Sequence, residues 1–212
     1  MAKDKYDNGI DVSHWQGEIN WQKVKEVGIN FAIAKVTGGS DYQDPKFLSN
    51  WVGMKNNNIK AAAYHYLKGY QLPESQITNI KEALVAKCDF DVCNDILAID
   101  VEEKLNENVG PEQMADTLYG LLVALNKTFN NIYIYCSPNY WENKVAWQKY
   151  DFSPYKLWIA HWTKEKSPTI PTTWQDKGWV WWQHSSKGRI DGIVGDVDLD
   201  RSHLFGIAPE YD

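Results

Sequence analysis

Several features that would point to other classes of protein are absent from this sequence. No segment approaches the roughly 20 apolar residues that a membrane-spanning helix requires, so we expect no membrane insertion. The 22 lysines and arginines are outnumbered by 28 aspartates and glutamates and form no cluster, which argues against a nucleic acid as partner. The first eight residues contain no apolar run, so they do not resemble a signal peptide.

Cysteine is scarce, and the spacing of the potential metal ligands matches no known metal site. The three cysteines, Cys88, Cys93 and Cys136, are odd in number, which predicts scattered buried thiols rather than a disulfide framework. The five histidines show no metal-binding spacing, so we expect neither a metal nor a cofactor. A thiol hydrolase built on Cys136 and His161 is a weak alternative, because nothing in the sequence marks an activating environment.

Aromatic residues, in contrast, are abundant. The chain has 11 tryptophans and 12 tyrosines, several of them in short clusters such as 179–182. A large core accommodates some of these rings, and the remainder suggests a cleft for flat apolar faces. Both sugars and nucleic-acid bases present such faces, and the negative charge of the chain favours sugars.

The order of apolar segments predicts a barrel that begins with β/α units. Strands that start near residues 9, 30, 60, 95 and 131 are separated by helical patterns, which is the rhythm of parallel βαβ units. Three further strands, over 156–160, 179–184 and 195–199, follow with few helices. We therefore expect a single-domain α/β, TIM-barrel-like fold with about five β/α units and then three strands. An open doubly wound sheet is the alternative.

The stretch from Asp95 to Glu103 is central to the functional interpretation. It reads as a buried strand that ends in acids, and the alternation along a strand points Asp100 and Glu102 to the same side. Two adjacent carboxylates on a buried strand repel each other and resist desolvation, which indicates a chemical role for the pair. Glu103 points the opposite way and is interpreted as a solvated acid.

Other candidate residues lie where predicted strands end, since functional groups of β/α barrels sit at the carboxyl ends of the strands. Taken singly, each has a structural explanation: a turn cap for Asp11, a salt bridge for Lys35, or core packing for the tyrosines. Together they place acids from three strands, ringed by aromatics, at one mouth, as glycoside hydrolysis requires. The candidates are Asp11, Lys35, Tyr64, Tyr66, Asp100, Glu102, Tyr135, Trp162, Gln183 and Asp198.

These stretches together resemble the glycoside hydrolase family 25 muramidases, the Chalaropsis-type lysozymes found among phage endolysins and bacterial autolysins. The likeness runs from about residue 9 to 205, and the combination of its opening and Asp-Val-Glu motifs is specific. The segments that carry it include GIDVSHWQG at 9–17, GINFAIAK at 28–35, IDVE at 99–102, IYIY at 132–135, LWIA at 157–160 and WQHSS at 182–186.

The resemblance implies a flattened β/α barrel that hydrolyses the β-1,4 bond between N-acetylmuramic acid and N-acetylglucosamine in peptidoglycan. It implies that Glu102 is the general acid. The positions that match the other active-site acids are Asp11, Asp100 and Asp198, and Tyr64 and Tyr135 match positions near the sugar. Asp196 and Asp200 stand where many members have asparagine, and their extra charge would raise the pKa of neighbouring acids. We expect a pH optimum below neutral.

The expected partner is the glycan strand of peptidoglycan, and we expect the protein to act as a monomer. The expected domain is a catalytic domain over residues 1–212 with a core at about 9–205 and no wall-binding module. Its expected location is the outer side of the bacterial wall, reached from the cytoplasm by release as a phage endolysin. Two other functions stay open: a glycan-binding barrel without catalysis, and a cysteine amidase or peptidase acting on the same wall.

Overall fold

A closed barrel of eight strands forms the body of the protein in this computed structural model, which describes residues 6–203. The strands are β1 (Tyr6–Val12), β2 (Ile29–Gly38), β3 (Tyr42–Gln43), β4 (Lys60–Tyr66), β5 (Ile96–Asp100), β6 (Asn131–Cys136), β7 (Lys156–Ala160), β8 (Trp181–Gly188) and β9 (Val197–His203). The helices are α1 (Trp21–Glu26), α2 (Phe47–Asn56), α3 (Pro73–Leu84), α4 (Pro111–Leu125) and α5 (Pro138–Lys144).

The barrel closes because β1 pairs with β2 on one side and with β9 on the other. Seven of its strands run parallel, and β9 runs antiparallel to both β1 and β8. The short β3 lies outside the ring, against β2. The predicted barrel is therefore confirmed, and the open doubly wound sheet is excluded.

Residues typical of helix starts mark the beginnings of α1 and α4. The Asn20 side chain accepts a hydrogen bond from the Lys23 amide at 3.1 Å, which caps α1. Pro111 opens α4, where its missing N–H is not needed by the helix. After β6 only the short α5 is α-helical among the described residues, so the predicted change from β/α units to plain strands is confirmed.

The structure departs from prediction in two places. The strand predicted over 179–184 extends further, since β8 runs from Trp181 to Gly188. The register of the β8–β9 pair shifts twice between Gln183 and Gly188. This irregular pairing keeps a polar segment in the strand although its sequence lacks the alternation typical of a strand. β3 was not predicted, because two residues are too short to give a pattern.

Side-chain alternation divides the interior into two cores. Residues that point outward from the strands pack against the helices, and residues that point inward fill the barrel. The filling is strongly aromatic: Phe31, Tyr133, Tyr135, Trp158 and Trp181 are all buried there. Much of the aromatic excess therefore serves the core. Among the tryptophans, Trp15 at 77% and Trp162 at 62% are well exposed.

The cysteines are free, as expected, but not uniformly buried. Cys136 is buried, Cys88 is half-buried and Cys93 is exposed, so the expectation of buried thiols is wrong for Cys93. Residues 6–203 contain no helix with the length and apolar character needed to cross a membrane. The predicted domain limits at residues 1 and 212, and the predicted core end near residue 205, lie outside the described residues.

Candidate active site

The candidate residues lie at the mouth of the barrel, the end at which the seven parallel strands finish. β1, β2, β4, β5, β6 and β8 bring Asp11, Lys35, Tyr64, Asp100, Tyr135 and Gln183 there. Asp198 lies near the start of its strand rather than near the end, because β9 is antiparallel and its first residues are at the mouth. Asp11 and Asp198 are direct partners across the β1–β9 pair. We call Asp11, Asp100, Glu102 and Asp198 the acid cluster.

Asp100 and Glu102 differ in how far they reach into the mouth. Asp100 is the last residue of β5 and is only 6% exposed. Glu102 follows two residues later and is half-buried, whereas Glu103 is exposed. Burial raises the pKa of Glu102 above its ordinary range, and burial and the Glu102 charge raise the pKa of Asp100 well above its own. The pair therefore resists full ionisation.

Lys35 is the cation that faces this pair. Its charge lowers the pKa of both Asp100 and Glu102, which opposes the effect of burial. Its ammonium also lies over aromatic rings, 4.7 Å from the Tyr66 centroid and 5.6 Å from that of Tyr64. Lys35 therefore acts on the acids through its charge, and its ammonium lies against the aromatic wall of the mouth.

Tyr66 lines the same cavity as Lys35, and its hydroxyl lies beside the carboxyl group of Glu102. Its hydroxyl contacts the Lys104 carbonyl oxygen, and its hydrogen bond to Glu102 lowers the pKa of that acid. Burial, followed by the charges of Glu102 and Asp100, raises the pKa of Tyr66, so the phenol stays neutral and remains a donor.

A chain of hydrogen bonds holds Asp11 on the opposite side of the mouth. The Gln183 amide donates from Nε2 to Asp11 Oδ2 at 2.8 Å. The same side chain accepts at Oε1 from the Tyr135 hydroxyl at 3.0 Å and from Trp162 Nε1 at 3.1 Å. Its amide orientation is thus fixed by donors at one end and by a carboxylate at the other. Trp162 is thereby linked to Asp11, although it lies on the loop after β7.

Asp198 and Tyr64 complete the wall between these two sides. Burial, followed by the charge of Glu102, raises the pKa of Asp198 to about 6. Burial, followed by the charges of Asp11 and Asp100, keeps the pKa of Tyr64 well above its usual range, so its phenol is neutral. The mouth is therefore a crowded acidic site lined with neutral hydroxyl donors.

Two cavities meet at Glu102. One has a volume of about 560 Å³ and lies towards α5 and the loop after β7, where Tyr135 and Trp162 line it. The other has a volume of about 490 Å³ and contains Asp11, Lys35, Asp100 and Asp198 on its walls, among other residues. Glu102 lines both cavities, together with Lys104, so the two cavities adjoin just after the end of β5. An elongated ligand that occupies both cavities has to pass this acid.

Some strand-end residues are not part of the mouth. His184 follows Gln183 and therefore points outward, where its ring packs against Trp182 at 5.7 Å. Asp196 precedes β9 and is exposed, with its carboxylate 3.0 Å from Arg189. Alternation explains the first case, and the late start of β9 explains the second.

Three residues near the mouth, Asp200, His14 and Trp15, were not predicted as site residues. Asp200 lies on the same inward face as Asp198, and alternation along β9 would have found it. At the rim, the His14 imidazole contacts Asp44 at 2.9 Å and carries the exposed Trp15, whose ring centroid lies 4.6 Å away. His14 and Trp15 both belong to the opening motif, so this loop contributes side chains to the rim and does not only connect two elements.

A second buried polar group lies on the helix-facing side of β2 and β4, and we call it the histidine network. The His65 Nδ1 atom is 2.8 Å from Thr37 Oγ1, and its Nε2 atom is 3.1 Å from Gln76 Oε1. Gln76 also donates to the Lys68 and Gln71 carbonyl oxygens, at 3.0 and 3.2 Å. Burial lowers the pKa of His65 to about 4, so its ring is neutral at pH 7.

Comparison with known proteins identifies relatives across nearly the whole chain. The sequence model of the family described as Glycosyl hydrolases family 25 matches residues 10–193. Lysozyme M1 of Streptomyces globisporus is 29% identical over 206 residues, which cover 91% of this chain and 66% of that protein. The autolytic lysozyme of Clostridium acetobutylicum is 28% identical, over 91% of this chain and 54% of that protein.

A solved structure agrees with the sequence matches. The bacterial lysozyme from Streptomyces coelicolor superposes with a TM-score of 0.81 at 27% identity, over 96% of this chain and 95% of that one. The chain spans 66% of the length of Lysozyme M1 and 54% of the length of the autolytic lysozyme. No group of three or more His, Cys, Asp or Glu side chains among residues 6–203 is arranged to hold a metal ion.

Proposed function

This chain belongs to glycosyl hydrolase family 25, and we propose that it is a bacteriolytic N-acetylmuramidase. It hydrolyses the β-1,4 bond from N-acetylmuramic acid to N-acetylglucosamine in the glycan strands of peptidoglycan. The observation that carries the proposal is the position of Glu102, a half-buried acid with a raised pKa at the junction of two cavities. A glycan strand that fills both cavities brings one glycosidic oxygen to this carboxyl group.

Glu102 is the proton donor of the proposed reaction. A general acid has to be protonated at the working pH and has to reach the leaving oxygen. Burial raises the pKa of Glu102, and its place between the cavities gives it access that the buried Asp100 lacks. Proton transfer from Glu102 to the bridging oxygen breaks the glycosidic bond, and water completes the hydrolysis.

The other acids stabilise the positive charge that develops on the muramic ring. Asp11 and Asp198 lie opposite one another across β1 and β9, in the same cavity as Asp100. In this scheme the substrate's own N-acetyl group is the internal nucleophile, and Asp100 or Asp198 orients it. Proton NMR of the first anomer formed tests this step: retention of configuration is expected, and an initially inverted product rules it out.

The remaining candidates bind the sugars. Aromatic faces and neutral hydroxyls are the groups that carbohydrate recognition uses, and the two cavities present both kinds. Trp162 offers an exposed indole whose Nε1 atom is fixed on Gln183, so its orientation is set before a sugar arrives. The proposed sugar-binding residues are Lys35, Tyr64, Tyr66, Tyr135, Trp162 and Gln183.

A digest of purified cell walls tests the proposed function. Mass spectrometry of the new chain ends after borohydride reduction should find reduced N-acetylmuramic acid. Reduced N-acetylglucosamine would make the protein a glucosaminidase instead. New amino termini would indicate an amidase or peptidase, against which the raised pKa of the buried Cys136 thiol argues. Binding to walls without new ends would identify an inactive glycan-binding barrel.

We also propose that the protein works as a monomer on the outer side of the bacterial wall, released from the cytoplasm as a phage endolysin. The support for a monomer is that the residues of the proposed site all come from one chain. Light scattering at working concentration should give the mass of one chain, and a dimer that keeps its activity only when associated would contradict the proposal.

A further inference from the structure

The reaction scheme leaves one buried acid without a role. Asp200 lies on β9, two residues beyond Asp198 on the same inward face, and is 1% exposed. Its direct partner on β1 is Gly9. A Cβ atom on Gly9 would lie 2.2 Å from the ring of Phe31, so this position accepts no side chain. Asp200 therefore pairs with a β1 residue that has no side chain, and that residue lies two positions before Asp11.

If every acid is ionised, only one of the two carboxyl oxygens of Asp200 has a hydrogen-bond partner. Oδ1 accepts a hydrogen bond from Trp158 Nε1 at 2.7 Å. Oδ2 is fully buried and has no donor among the described residues. Across the β1–β9 pair Asp200 is the partner of Gly9 and Asp198 that of Asp11, so Asp200 and Asp11 are diagonal neighbours, and a side-chain hydrogen bond between them changes the pKa of each. Two ionised carboxylates in such contact repel each other and leave a buried oxygen unpaired.

A single proton removes both difficulties. The O–H of one carboxyl group then donates to the other, the bare Oδ2 atom gains a partner, and the like charges disappear. Buried carboxyl pairs in contact generally retain one proton between them, and their protonation belongs to the pair rather than to either residue. The pair then carries one negative charge in total.

We propose that Asp11 and Asp200 share one proton and that Asp200 is a positioning residue, which holds Asp11 in a single orientation towards the cleft. Gln183 Nε2 fixes Asp11 from the β8 side at 2.8 Å, and Asp200, itself fixed by Trp158, does so from the β9 side. Because of the shared proton, the pair adds one negative charge to the mouth instead of two.

The titratable groups around the pair are consistent with this assignment. Burial raises the pKa of Asp11, and burial raises that of Asp200 to about 7. The groups that face the pair are Asp198 on β9, Tyr64 on β4 and Tyr135 on β6, and the charges of Asp100 and Glu102 act on the same two tyrosines. Both tyrosines are neutral because burial raises their pKa. Lys35 on β2 acts on Asp100 and Glu102.

Carbon-13 NMR of aspartate-labelled protein tests the proposal without using activity. Two carboxyl signals, assigned by their loss in Asp11→Asn and Asp200→Asn, should respond together to one titration near neutral pH. In Asp200→Asn, the Asp11 signal should titrate at distinctly lower pH, because an amide donor replaces an acid. The exposed Asp196→Asn variant is the matched control and should leave both signals unchanged.

Two results would overturn the proposal. One is a wild-type protein in which both carboxyl groups lose their protons below pH 4. The other is an Asp11 titration that is the same in Asp200→Asn as in the wild type. If Asp200→Asn does not fold, Asp11→Asn gives the reciprocal measurement, since the Asp200 signal should then move to lower pH.

The pH profile of wall digestion gives a second readout, which rests on the proposed function. Above pH 7 the wild-type rate should fall by more than tenfold per pH unit, because Glu102 and the shared proton both ionise. Asp200→Asn should fall by at most tenfold per unit, since only Glu102 is lost; equal slopes would count against a positioning role. A wild-type protein that releases no sugar ends at any pH would refute the proposed function, and the NMR titration would still decide the shared proton.

Discussion

The protein contains two buried polar groups, the histidine network and the acid cluster, and they differ in how their polar atoms are paired. In the histidine network both ring nitrogens of His65 have partners, and so do both ends of the Gln76 amide. In the acid cluster, Asp100 Oδ1 is buried without a donor among the described residues, and like charges face one another. The polar atoms of the histidine network are hydrogen-bonded to other protein groups. In the acid cluster, by contrast, some carboxyl oxygens gain a hydrogen bond only when an acid is protonated.

The two groups therefore respond to pH in opposite directions. His65 has a pKa of about 4 in the folded protein, below its ordinary value of 6.5, so the stability it supports is lost as pH falls from 6.5 to 4. Asp198 has a pKa of about 6, above its ordinary 3.8, so stability is lost as pH rises through that interval. Folding is favoured by a neutral histidine and disfavoured by ionised acids at the mouth.

This difference separates a stabilising site from a reactive one. A buried polar network with every partner in place fixes the structure but offers no group for chemistry. A crowded set of acids lowers stability and in return keeps a proton available next to a cleft. Substitutions in the acid cluster should therefore change activity, and substitutions in the histidine network should change stability.

Replacing the proposed proton donor should have the largest effect. Glu102→Gln should lower the rate of wall digestion by about 10²- to 10⁴-fold, because the amide cannot donate a proton to the leaving oxygen. Its unfolding temperature should not fall. Glu103→Gln, a change at the exposed neighbour, is the matched control and should keep the wild-type rate. Wild-type activity in Glu102→Gln would end the assignment.

Breaking the histidine network should instead cost stability. Gln76→Leu leaves the His65 ring, the Lys68 amide and two carbonyl groups without their partner, at a cost of about 3 kcal/mol in the free energy of unfolding. Urea denaturation measures this loss, and the exposed Gln113→Leu is the control. Below the unfolding transition the variant should keep the wild-type pH profile of digestion; a displaced profile would mean that the two groups are not independent.

Relieving the acid cluster should raise stability in a pH-dependent way. Asp198→Asn removes a carboxyl group whose raised pKa disfavours the folded state above about pH 4. The gain should be close to zero at pH 4 and about 1 kcal/mol at pH 7, a value reduced for its partial exposure to solvent. Thermal unfolding at the two pH values measures it, beside the exposed Asp196→Asn. An equal change at both pH values would contradict the linkage.

The smallest effect is a displacement of the pH profile. Lys35→Gln removes the cation that lowers the pKa of Glu102 and Asp100, so Glu102 should keep its proton to higher pH. The alkaline limb of the digestion profile should therefore move to higher pH, whatever the loss of maximal rate. Lys35→Arg keeps the charge and should leave the limb in place. A limb that moves to lower pH in Lys35→Gln would exclude this role.

Much of this architecture follows from the sequence because its signals are local. Strand alternation in the sequence predicts Asp100, the last residue of β5, and Glu102 on one side, and the strand rhythm up to β6 predicts the parallel part of the barrel. The opening motif and the acids at 100 and 102 also carry the family resemblance. These inferences need only the period of a strand and the rule that barrel sites lie at strand ends.

Other features depend on pairing between distant segments and could not be predicted in that way. The direction of β9 is set by its pairing with β1 and β8, and this direction brings Asp198 rather than Asp196 to the mouth. The irregular register of β8 extends a strand through a segment with turn-like composition. The position of Asp200 follows from the absence of a side chain at Gly9, a residue that lies 191 positions away in the sequence.

The proposed chemistry requires that the crowded, buried mouth keeps Glu102 protonated beyond the ordinary range of a glutamic acid. Carbon-13 NMR of glutamate-labelled protein measures this, with the Glu102 carboxyl signal assigned by its absence in Glu102→Gln. We expect a titration midpoint above the value of about 4.3 for an ordinary glutamic acid. A midpoint at or below that value would show that the mouth favours the carboxylate, and Glu102 would then not be held as an acid by its surroundings.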